Sequence, residues 1–72
     1  DKENLNLIKI KKSIYLINLD KEELVIETLN PIINSESVWR VLAINLISEY
    51  FLSKNQTTKA KEYILLLKEK KN

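Results

Sequence analysis

A chain with no glycine lacks the residue that makes sharp backbone reversals easy, and this one has none, with a single proline, in 72 residues. Sheet proteins usually use glycine and proline at hairpins and corners, so their scarcity points to an all-α fold. Phosphate-cradling loops of the G-x-x-x-x-G-K and G-x-G-x-x-G kinds go too, because there the backbone must meet phosphate with no side chain between. The absence of cysteine and histidine removes a disulfide framework, a thiol nucleophile and the ligands that zinc and copper favour. Glu22, Glu23 and Glu27 fall at a helix start, where negative charge is favourable in itself. No nucleophilic triad can be assembled without histidine or cysteine. The expectation is a non-enzyme with no cofactor and no metal.

Length and an opening Asp1 suit one small domain over 1–72, expected to be the C-terminal part of a longer protein. The longest apolar run, Ile64 to Leu67, is far too short to span a bilayer. Membrane attachment is therefore expected only through a segment outside these residues. Twelve basic and ten acidic side chains leave a net charge of +2, a weak footprint for nucleic acid. The small clusters Lys9, Lys11, Lys12 and Lys68, Lys70, Lys71 read as solvated helix ends, the second suiting a helix C-terminus.

Apolar spacing predicts four helices, over about 2–18, 20–33, 36–53 and 56–70. In the first, Leu7, Ile10, Ile14 and Ile17 form one stripe, widened by Ile8, Tyr15 and Leu19. Asp20 with Glu23 has the form of a capping box opening the second, and Leu19 with Leu24 that of a hydrophobic staple. Pro31 should kink or loosen the last turn of that helix, which ends near Ile33. Ser35 is the first choice of N-cap for the third helix. That helix is apolar around most of its circumference, apart from an arc of Asn45, Ser48 and Glu49, so it must be covered on two sides and forms the centre. Asn55 caps the fourth, whose stripe is Ala60, Tyr63, Ile64 and Leu67.

Sliding the chain on itself by 35 residues superposes Leu7 on Leu42, Ser13 on Ser48, Tyr15 on Tyr50 and Glu27 on Glu62. It also sets Asp20 on Asn55, Val25 on Ala60, Leu29 on Ile64 and Ile32 on Leu67. Two helical hairpins of this period are what a helical solenoid is built from, and the length suits the tetratricopeptide class. The expected architecture is two hairpins of tetratricopeptide-repeat type, a fragment of a right-handed α-solenoid.

Trp39-Arg40-Val41-Leu42-Ala43, preceded by Leu29-Asn30-Pro31-Ile32 and followed by Tyr50 and by Asn55 to Ala60, resembles the tetratricopeptide-like domain of bacterial ancillary SecYEG translocon subunits. The likeness covers about residues 5 to 70, with Asn55 standing where that family has a turn glycine. The resemblance implies a membrane-anchored parent whose helical domain lies on the periplasmic side of the inner membrane. Its partners would be the translocon or a periplasmic chaperone. The cytoplasm is the alternative location.

Trp39 reads as packing near the connector, with its indole N–H seeking a carbonyl. Arg40 could clamp a partner carboxylate or pair locally with Glu36. Asn45 is a candidate for a polar contact to a bound peptide, or simply a solvated residue. Leu65 and Leu66 either cover neighbouring core residues or form a seam for another helix or chain. The equivalence of Tyr15 and Tyr50 favours a structural role for both. Because two hairpins are few for a stable solenoid, a homodimer is expected of the isolated fragment. The favoured function is a protein–protein interaction module at the protein-export channel. Two alternatives stand beside it: an RNA-binding pentatricopeptide-like repeat, disfavoured by the near-neutral charge, and a LisH-like dimerisation module using Leu46, Ile47, Tyr50, Phe51, Ala60 and Tyr63.

Overall fold

A computed structural model describes residues 1–69. The described residues hold four α-helices, α1 (Lys2–Asn18), α2 (Glu22–Ile33), α3 (Arg40–Ser53) and α4 (Thr57–Leu65), followed by a 3-10 turn, Leu66–Lys68, and no strand. Asp1 starts α1 by accepting the Asn4 amide at 2.9 Å, which satisfies one of the free N–H groups of the first turn.

Both hairpins turn in the same way. After α1, the amide of Asp20 donates to the carbonyl of Ile17 (2.9 Å) and that of Lys21 to Leu16 (3.0 Å); after α3, Asn55 donates to Leu52 (3.0 Å) and Gln56 to Phe51 (2.9 Å). These are the paired bonds of a Schellman turn, which needs one left-handed residue just past the helix. With no glycine to take it, Asp20 (φ 53°) and Asn55 (φ 61°) do, short polar side chains being the next best tenants of that region.

This corrects three boundaries. Asp20 does not open α2 as a capping box: it closes α1, and α2 begins at Glu22 behind Lys21, which makes no side-chain cap. Leu19 and Leu24 are both exposed, so the expected staple does not shield them. Asn55 likewise ends the turn after α3, and α4 starts at Thr57 behind Gln56. The third correction is at the connector. Ser35 donates its hydroxyl to the Ile32 carbonyl and accepts from the Ser37 amide, while Ser37 accepts from the Trp39 amide at 3.0 Å. α3 therefore begins at Arg40 rather than near Glu36. α2 continues through Pro31 to Ile33. The α-helical part of α4 stops at Leu65; the expected end at Lys70, with Lys70 and Lys71 of the basic cluster, lies outside the described residues.

Each helix packs mainly on its neighbours in sequence, α1 on α2, α2 on α3 and α3 on α4. The result is a flattened bundle with extents of 35 × 27 × 14 Å. α3 is the centre, as its broad apolar surface requires: Ala43, Ile44, Ile47 and Phe51 are wholly buried, and with Val25, Leu29, Ile32, Ile33 and Ala60 they form the core. Phe51 stacks on Tyr63 with ring centres 5.8 Å apart.

The buried stripe of α1 is turned from the expected one. Asn6, Ile10, Ser13 and Leu16 face inward, while Ile14 is exposed. Polar Asn6 and Ser13 can be buried because each finds a partner: Asn6 donates to Glu3 and Ser37, and Ser13 to the Ile10 carbonyl at 2.7 Å. Ser48, assigned to a polar arc, is also buried.

Candidate functional site

Arg40 is anchored by three hydrogen bonds to backbone carbonyls. Its Nε donates to the Ile33 carbonyl at 2.8 Å, Nη2 to Leu66 at 2.9 Å and Nη1 to Glu69 at 3.3 Å. One guanidinium thus satisfies carbonyls at the end of α2 and around the 3-10 turn, where helices leave acceptors unpaired and where positive charge suits the dipole. It points into the protein rather than towards a ligand carboxylate, and its bonds go to backbone rather than to Glu36.

Glu3 performs the matching task at the other end of the connector. Its carboxylate accepts from Ser37 Oγ (2.6 Å), the Val38 amide (3.0 Å) and Asn6 Nδ2 (3.0 Å), while its carbonyl takes the Trp39 indole N–H at 3.1 Å. The Ser37 hydroxyl first, then the Val38 amide and Asn6, hold the Glu3 carboxyl below its ordinary range. Beside it lies a cleft of about 380 Å³ lined by Lys2, Glu3, Asn6, Ser35, Glu36 and Ser37. Both carboxylate oxygens already serve the connector, so the cleft holds a structural latch. The indole bond is the carbonyl contact expected for Trp39.

A second network ties the hairpins together at the turn. Tyr50 donates its hydroxyl to Asp20, and Lys54 Nζ lies 2.9 Å from both Asp20 Oδ1 and Glu22 Oε1; Lys59 approaches Glu22 at 3.8 Å. Asp20 is held below its ordinary value by the Tyr50 hydroxyl, then by Lys54. The Tyr50 phenol is pushed up by burial and then by its bond to Asp20. Tyr15, its equivalent 35 residues earlier, is 64% exposed where Tyr50 is 4% exposed, so only the later tyrosine has a hairpin to bond.

The four candidate interface residues separate. Arg40 is buried and Leu66 half-buried against the core, and the two meet through the Arg40–Leu66 carbonyl bond. Asn45 on α3 and Leu65 on α4 are exposed. Residues outside that set prove more suggestive: Val41 and Leu52 are exposed on α3, Ile64 on α4 and Leu67 just beyond. Ile64 and Leu67 are read from the sequence as core stripe. Their alignment with Leu29 and Ile32 carried the missing signal, since a stripe needs a next layer to be covered.

Among the described residues, no group of three or more histidine, cysteine or acidic side chains could hold a metal ion, and no helix is long and apolar enough to cross a membrane. No family model, no curated protein and no solved structure matches this chain.

Proposed function

We propose that this chain is a non-catalytic protein–protein interaction module made of two stacked helical hairpins of tetratricopeptide-repeat type. The observation that carries the reading is the recurrence, 35 residues apart, of the same left-handed turn at Asp20 and Asn55, in a flattened bundle that leaves Val41, Leu52, Ile64 and Leu65 exposed. Exposed apolar side chains on helices of this kind are available for recognition of another protein.

The resemblance carried by Trp39 to Ala43 and Asn55 to Ala60 extends the proposal. The parent protein is anchored by a segment outside these residues, and this domain acts at the protein-export channel, on the outer side of the bacterial inner membrane. Membrane fractionation of the parent with protease added from that side tests the placement. A membrane-bound, externally cleaved domain is the expected result; a soluble cytoplasmic protein would overturn it. Crosslinking of the parent tests the module reading itself, which expects a protein adduct.

A further inference from the structure

Between Asn4 and Leu19 the chain has three lysines, Lys9, Lys11 and Lys12, and no acidic residue. In the helix that this stretch forms, Ile10, Ser13 and Leu16 face the core. The opposite side carries Leu5, Ile8, Lys12, Tyr15 and Leu19, at alternating steps of three and four. Leu5, Ile8 and Tyr15 are 60%, 61% and 64% exposed. At about 100° per residue, Lys9 and Lys11 stand on opposite flanks of this stripe and Lys12 within it. All three lysines are exposed, and among the described residues no ion pair engages them. α1 packs on α2 and, more lightly, on α3, which leaves the stripe without a helix over it.

The nearest carboxylates do not cancel this charge. Glu3 is engaged by Ser37 and the Val38 amide, Asp20 by Tyr50 and Lys54, and Asp1 caps the start of the helix. Glu27 shares a groove with Lys9 and Lys12, one carboxylate against two ammonium groups.

A second copy is a poor cover for the stripe. The 35-residue offset sets Leu5, Ile8 and Tyr15 opposite Arg40, Ala43 and Tyr50, which suits head-to-tail stacking, but it also sets Lys9 and Lys12 opposite Ile44 and Ile47, both wholly buried. The receiving face would carry Lys61 and Lys68 where the first hairpin has Ile26 and Ile33. Two ammonium groups would lose water on a face that already holds two more, the costliest kind of burial. Two α1 helices packed antiparallel fare no better, because Lys12 is the midpoint of the stripe and would meet its own copy.

An anionic bilayer surface accepts both halves of the pattern. Apolar tips and the Tyr15 ring enter the headgroup region, while the lysines bend their stems outward and keep water and phosphate around the ammonium. Negative charge on every side answers cations within the stripe and on both its flanks. A single row of carboxylates on a partner would answer one flank.

We propose that α1 is an interfacial helix, which lays Leu5, Ile8, Tyr15 and Leu19 on an anionic lipid bilayer with Lys9, Lys11 and Lys12 among the headgroups. This goes beyond the interaction-module reading and does not depend on it.

The 72-residue chain is mixed with vesicles of phosphatidylglycerol and phosphatidylcholine in equal parts, or of phosphatidylcholine alone, and the bound fraction is read by sedimentation. Binding is expected to the anionic vesicles and should fall steeply with added salt. Lys9→Gln with Lys12→Gln should lower partitioning about 30-fold, the increment for two lysines at such a surface. Ile8→Asn should lower it about tenfold, with circular dichroism confirming that these variants, altered only at exposed positions, keep their helices. Lys61→Gln with Lys68→Gln, on the other open face, should leave it unchanged. No binding, equal binding to the neutral vesicles, or a loss caused by the Lys61 and Lys68 pair in place of the Lys9 and Lys12 pair would overturn the proposal. So would a dimer that Ile8→Asn dissolves, because a second copy would then cover the stripe. Vesicle binding that Ile8→Asn leaves intact would overturn it too, since that marks plain attraction of charge, of the kind RNA shares. Crosslinking of the parent to a protein decides the module reading separately, whichever way the vesicles behave.

Discussion

At the end of α1 the left-handed residue is Asp20, and its carboxylate is taken up by Tyr50 and Lys54 from the second hairpin. At the end of α3 the left-handed residue is Asn55, which lies exposed. The backbone bonds are the same pair in both places. Local sequence sets the course of the chain, because a short polar residue tolerates positive φ. What the side chain then does depends on whether another hairpin follows. The first turn is a joint between hairpins and the second a plain reversal.

That contrast can be broken most severely beneath the turns. Phe51 and Leu16 supply the matching carbonyls, but Phe51 is wholly buried and stacked on Tyr63. Phe51→Ala should cost about 4 kcal/mol and Leu16→Ala about 2 to 3 kcal/mol in denaturant unfolding. Equal losses would mean that the two hairpins share the core evenly. A sharper probe is the tyrosine pair. Tyr50→Phe removes a bond between hairpins and should cost about 1 kcal/mol, whereas Tyr15→Phe at an exposed position should stay within about 0.5 kcal/mol of the parent.

Glycine replacements test the turns themselves. Asn55→Gly should raise stability by about 0.5 to 1 kcal/mol, since glycine takes positive φ without steric cost. Asp20→Gly should gain less, because it also gives up the bonds to Tyr50 and Lys54; thermal midpoints of the two variants would show the difference. The most gradual effect is that of pH. A carboxyl held down in the folded state, as Asp20 and Glu22 are, stabilises fully above its ordinary value near pH 4 and loses that contribution as pH falls from there through its lowered folded-state value. The Tyr50 phenol is pushed up, so its share is complete below about pH 10 and declines above. The stability gap between the parent and Asp20→Asn should therefore be flat from about pH 5 to 9 and narrow on acidification, as unfolding midpoints across pH would register.

The sequence made the helices and the 35-residue recurrence legible because both depend on spacing, which survives any choice of partner. It misplaced Asp20, Asn55 and Ser35 because a side chain that can cap a helix start can equally end the previous helix, and only the chain's path decides. Asn6 and Ser13 escaped the apolar pattern because their partners, Ser37 for the first and a carbonyl one turn back for the second, leave no mark in the apolar spacing. At the candidate site, Asn45 was found as an exposed residue, but Arg40 was not recognisable as a helix-end clamp. Its acceptors are backbone carbonyls of Ile33, Leu66 and Glu69, which carry no signature in the sequence.

The flattened bundle, in which helices lean chiefly on their neighbours along the chain, bears on how the protein reaches this state. Few long loops must close before contacts form, so the entropic barrier is low and folding belongs on the microsecond to millisecond scale of helical proteins. Nucleation can begin in either hairpin, with α3 as the piece both need. The larger interfaces lie within the hairpins, α1 on α2 and α3 on α4, so unfolding at low denaturant should part the molecule at the α2–α3 seam before either hairpin opens.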